Sequence, residues 1–89
     1  MVNKYHPDGV IVRGLYWHYR GSYFEVLRVW KDNQSGKVMV AYRPYKRIAE
    51  PFITTEKSFT GVVKVFGEEK PRFKHLKVKG EGIERRLRE

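Results

Sequence analysis

Aromatic and cationic side chains interleave at short spacing near the start of the chain: Tyr16, Trp17, His18, Tyr19, Arg20 and Tyr23. That mixture suits a ligand with flat rings and negative charge. Rings stack on bases, and guanidinium or ammonium groups hold phosphates. In an extended segment successive side chains point to opposite faces. Tyr16, His18 and Arg20 therefore share one face, and Leu15, Trp17 and Tyr19 share the other. The first set is expected on an open face, with Tyr16 and His18 stacking, together with Tyr45 further along, and Arg20 contacting phosphate. Trp17, Tyr19 and Tyr23 are expected to pack, because a small domain needs bulky fillers. Arg43, Arg72, Lys74 and Lys77 are the further candidates for charge contacts. The last three lie in the densest basic run, Arg72-Phe73-Lys74-His75-Leu76-Lys77-Val78-Lys79.

Other chemistries find little support. His6, His18 and His75 have no metal-ligand spacing, so neither a metal site nor a cofactor is expected. Cysteine is absent, which excludes disulfides, Cys-ligated zinc and thiol catalysis. The serines lack a nucleophile-elbow context, and no glycine-rich phosphate loop occurs. Glu25 has no second carboxylate nearby and reads as the structural partner of Arg43. The expectation is a binding protein, not an enzyme.

Nineteen Lys and Arg stand against ten Asp and Glu in 89 residues, a net charge of +9. That exceeds what solubility alone requires. It points to nucleic acid or another polyanion as the partner of a monomer or small homo-oligomer. No apolar run approaches the roughly 20 residues of a membrane helix. The N-terminal MVNKYHPDGV lacks a signal-like apolar stretch, so a cytoplasmic location is expected.

The elements that must position these residues are strands. The chain is 15% aromatic, and glycine and proline break it into segments mostly too short for helices. Leu15–Tyr19, Tyr23–Trp30, Val38–Tyr45, Pro51–Thr54, Thr60–Phe66 and Pro71–Val78 read as extended. Arg20–Ser22, the polar Asp32–Gly36 loop and Gly67–Lys70 read as turns. Thr55–Phe59 reads as a turn or as one helical turn, for which Thr55 is the candidate cap. If Lys31 and Lys37 close the central hairpin, Glu25 faces Arg43, Val26 faces Tyr42, Arg28 faces Val40 and Trp30 faces Val38. Trp17, Leu27, Val29, Val40, Phe59, Val63 and Phe73 are the expected core. The fold expected is all-β: a small SH3-like antiparallel barrel of five or six short strands over residues 1–80. A charged tail, 81–89, is expected to follow as a short helix.

From Gly14 onward the chain resembles a bacterial and phage family known as domain of unknown function 1653. The resemblance rests first on Gly14-Leu15-Tyr16-Trp17-His18-Tyr19-Arg20-Gly21 and Tyr23-Phe24-Glu25-Val26-Leu27. It continues through Ser35-Gly36-Lys37, Val40-Ala41-Tyr42-Arg43 and Lys70-Pro71-Arg72-Phe73. Phe52-Ile53-Thr54-Thr55 stands where the family has Trp-Val-Arg-Pro, and Arg20 where it has Lys. The resemblance covers about residues 14–74 and implies a compact β domain that is not a known enzyme. It supplies no ligand. Three functions are thus expected in turn: a nucleic-acid-binding module, a phage-related accessory binder of a nucleotide or phosphorylated metabolite, and an SH3-type peptide-binding module.

Overall fold

The computed structural model describes residues 4–76. Seven strands and one helical turn follow in order: β1 (Leu15–His18), β2 (Ser22–Lys31), β3 (Val38–Pro44), β4 (Phe52–Thr55), α1 (Glu56–Phe59), β5 (Val62–Val65), β6 (Glu68–Pro71) and β7 (Phe73–Leu76). They form a five-stranded antiparallel sheet in the order β4-β3-β2-β1-β7, and a separate β5-β6 hairpin. The all-β class is as expected. The strand count is seven, and no closed barrel is found among the described residues. The expected tail, 81–89, lies outside them.

Local chemistry explains most of the boundaries. Gly21 adopts φ +100°, which a side chain resists, and its N–H bonds to the His18 carbonyl at 2.8 Å. This tight turn pairs Tyr16 with Phe24 and Trp17 with Tyr23. At the next hairpin, the Asp32 carboxylate accepts the Ser35 N–H at 2.9 Å, and the Asp32 N–H bonds to the Lys37 carbonyl. The hairpin register is as expected at Glu25↔Arg43 and Val26↔Tyr42. Beyond them a bulge between Val26 and Arg28 shifts it by one, so Arg28 faces Ala41 and Trp30 faces Met39. The extra residue bends β2 and reverses the face on which its later side chains fall. Leu27, expected in the core, is therefore only half-buried.

Thr55 caps α1 as expected, its side-chain oxygen accepting the Ser58 N–H at 3.1 Å. The cap delivers Phe59 onto the sheet. Residues 68–70, expected in a turn, instead form a strand. Phe66 and Gly67 take φ of 51° and 80°, so the turn sits one step earlier. Two successive positive φ values match the twist of a two-residue hairpin. Phe-Gly carries none of the usual Asn-Gly signal for it.

The main hydrophobic cluster lies on one face of the five-stranded sheet, while Leu15 and Ala41, also buried, alternate onto the other. Tyr16, Val26, Val40 and Phe59 are fully buried, and Phe73 almost so. Phe59 and Phe73 stack with centroids 4.1 Å apart, and Tyr16 meets Phe59 edge-on at 5.0 Å. Val10, Phe24, Val29 and Tyr42 pack around them. The segment before β1 crosses this face and buries His6 against Tyr16 and Phe59. Val40, Phe59 and Phe73 are the expected residues fully buried here, with Val29 at the margin. Trp17 and Val63 are half-buried.

Candidate functional site

The alternation of β1 falls the opposite way from the expectation. Tyr16 is a core residue, not a stacking surface. Its ring is 0% exposed, and its hydroxyl accepts the Ile11 N–H at 3.0 Å. Burial pushes its pKa up, against the Ile11 hydrogen bond. His18 follows it onto the core side. Its ring meets Phe73 edge-on at 4.9 Å, and its Nδ1 accepts the Arg20 N–H at 3.2 Å. Burial, then the charges of Arg20 and Arg72, hold it below the ordinary histidine range. The core ring contact thus engages the ring expected to stack on a ligand.

The outer face carries Trp17 instead. Pairing in the sheet places Lys74 opposite Trp17 on one side and Tyr23 opposite it on the other. Tyr45 continues the row, its N–H bonded to the Tyr23 carbonyl at 3.0 Å. Lys74, Trp17, Tyr23 and Tyr45 therefore form one cross-strand row over β7, β1, β2 and the end of β3. With strands about 4.8 Å apart, such a row spans roughly 14 Å. Trp17 and Tyr23 meet edge-to-face at 4.7 Å. Gly21 lies under the indole, where an added Cβ would sit 3.8 Å from the ring. Tyr23, Tyr45 and the exposed Arg47 also border a shallow cavity of about 280 Å³ beside Gly21.

Cations surround the row. Arg20 is exposed, its Nε donating to the Tyr19 hydroxyl at 3.1 Å and its guanidinium 5.6 Å from that ring's centroid. Lys46 lies 6.0 Å from the centre of the Tyr45 ring. Among the described residues, the ion pairs formed are those of Glu25 with Arg13 and with Arg43, both at 3.8 Å. Arg20, Arg47 and Lys74 are in none of them. Glu25 and Arg43 occupy the row next to Tyr23 on the same face, so the expected pair forms and Arg43 is engaged.

Of the residues singled out from sequence, the fold gathers Arg20, Tyr45 and Lys74 at one place. Tyr16 and His18 are turned inward. Arg72 is half-buried and donates to the Ser58 hydroxyl at 2.8 Å, tying α1 to the turn before β7. Lys77 lies outside the described residues. Trp17 and Tyr23 were expected in the core, yet they form the centre of the row. One signal in the sequence points to them. Glu25 needs solvent or a partner, so its face is the outer one. Tyr23, two residues away on β2, shares that face, and the β1–β2 hairpin carries it across to Trp17.

No group of three or more His, Cys, Asp or Glu side chains able to hold a metal occurs among the described residues. No helix there is long and apolar enough to cross a membrane.

The family model described as Protein of unknown function (DUF1653) matches residues 14–75, most of the chain, and the chain belongs to that family. No curated protein matches it. Among solved structures, it is similar to a DUF1653 protein from Bordetella bronchiseptica at 24% identity and a TM-score of 0.54. That match covers 78% of this chain and 95% of the other, and it shows a shared fold.

Proposed function

We propose that this member of the DUF1653 family is a non-enzymatic binding module that lays a nucleic-acid strand across the Lys74–Trp17–Tyr23–Tyr45 row. The observation that carries the reading is the row itself. Three aromatic rings stand side by side on the outer face, with Arg20, Arg47 and Lys74 around them outside any ion pair among the described residues. Sequence-tolerant binding of single strands needs those two elements: rings for base stacking and a cationic border for the backbone. We read the five-stranded sheet and its hairpin as an opened SH3-like barrel, a scaffold that presents such a face to an extended ligand.

A single strand is favoured over a duplex because the bases of a duplex are already stacked and cannot reach the rings. Fluorescence anisotropy with labelled single strands and duplexes, at low and at physiological salt, tests the reading. Affinity for single strands should rise with length until the row is spanned. Three cations on a single strand give a log–log salt slope of about −2. Binding that ignores both length and salt would refute it.

A further inference from the structure

A second concavity lies at the other edge of the molecule, between the segment before β1 and strand β7. It has a volume of about 420 Å³, within the range of small-molecule sites. Lys4 and Lys74 line it, with His6 and His75 and with Asp8 as the one carboxylate. We propose that this cleft binds a phosphate monoester dianion attached to a flat organic group.

The charge balance supports a dianion. Two ammonium groups stand against one carboxylate, and the His75 imidazole adds a ring that hydrogen-bonds in either protonation state. A monoester brings close to two negative charges and three terminal oxygens, which a carboxylate does not match. The rest of the wall suits the organic part. Tyr5, Ile11 and Pro71 line it, and the Tyr5 ring already holds a cation, the Lys4 ammonium lying 5.0 Å from its centroid. The cleft also has a firm floor. His75 packs on the buried Tyr16 ring at 5.0 Å, and His6 is 4% exposed. Burial first, and then the charge of His75, hold His6 below the ordinary histidine range, against a backbone hydrogen bond with Phe73. An anion bound here relieves that repulsion.

The site shares only Lys74 with the aromatic row and does not depend on it. Its ligand is either a free nucleotide or the phosphorylated end of a strand. Calorimetric titration of the full chain with 5′-AMP and with adenosine tests the phosphate directly. AMP should bind at least tenfold more tightly than adenosine, and Lys4→Ala and His75→Gln should each weaken it at least fivefold. Lys4 is exposed, so its variant folds even where His75→Gln disturbs Tyr16. Strands carrying a 5′-phosphate or a 5′-hydroxyl then separate the sources. A phosphorylated strand that binds more tightly than both its 5′-hydroxyl form and AMP assigns the cleft to strand ends. An AMP affinity unmatched by any gain from the 5′-phosphate assigns it to free nucleotide. Equal binding of AMP and adenosine, no binding of AMP, or AMP affinity unchanged in Lys4→Ala would overturn the proposal. Binding of 5′-hydroxyl strands that survives such a failure leaves the row intact and removes the cleft alone.

Discussion

Tyr16 and Trp17 are neighbours in the chain on opposite faces of β1, so replacing them one at a time separates folding from binding. Trp17→Ala removes the central ring of the row and its 4.7 Å contact with Tyr23. The lost ring pair costs about 0.5–1.5 kcal/mol of stability. Loss of one base–aromatic stack costs about 1–3 kcal/mol of binding, a roughly 5- to 150-fold weaker affinity. Tyr16→Phe does the reverse. It keeps the buried ring but deletes the hydroxyl that accepts the Ile11 N–H at 3.0 Å. Leaving that donor unpaired costs about 1–2 kcal/mol, toward the low end because Ile11 is itself partly exposed. In a domain of this size that lowers the melting temperature by roughly 4–15 °C. Anisotropy titration and thermal unfolding of the two variants, side by side, read both quantities. Trp17→Ala should lose affinity with a modest loss of stability, and Tyr16→Phe should lose stability with unchanged affinity. A variant pair in which Tyr16→Phe weakens binding and Trp17→Ala does not would show that the faces are assigned the wrong way round.

Further outcomes follow from the same contacts. Gly14→Ala would place a Cβ 2.8 Å from the Ile11 carbonyl oxygen and 3.1 Å from the Tyr16 ring. Backbone and core must shift, so thermal unfolding should show a loss of about 1–3 kcal/mol. Glu25→Gln breaks both ion pairs, to Arg13 and to Arg43, which are partly solvent-exposed, so stability should fall by less than about 1 kcal/mol. The two released guanidiniums should strengthen single-strand binding and steepen its salt slope by about 1, whereas a shallower slope would count against the row. His6 and His18 both sit below the ordinary histidine pKa near 6.5, chiefly through burial. The unfolded chain then binds protons more readily than the fold, so their contribution is complete above about pH 6.5 and is lost as pH falls through the folded values. Melting temperature should drop between pH 7.5 and 5.5, and the double variant His6→Gln with His18→Gln should flatten that drop. An equal slope in the double variant would rule out these two groups as its source.

Much of the fold was legible in the residues. Short aromatic and β-branched segments between glycines give strands, Gly21 supplies a turn that few residues can make, and Thr55 announces the cap of α1. The Glu25–Arg43 pair set the register of the central hairpin near its open end. The turn and the cap are decided within a few residues of sequence, and the pair is brought together by the hairpin that joins β2 to β3. The bulge at Val26/Arg28 carries no preferred residue type, and the turn read at Gly67–Lys70 sits one step earlier because Phe66, a residue that disfavours positive φ, shares it. Which face of β1 turns inward is a different kind of question. Tyr16 and Trp17 are both large aromatics, so hydrophobicity does not choose between them. The choice falls to what covers the sheet: Phe59 from α1, Phe73 from β7 and His6 from the segment before β1. The row and the cleft have the same origin. Lys74 stands beside Trp17, and His75 beside Tyr16, only because β7 returns to pair with β1 from the far end of the described chain. The sequence by itself determined the strands, the turns and the surplus of positive charge. Tertiary packing alone decided which rings meet solvent, because the residues that cover the other face are remote in the chain.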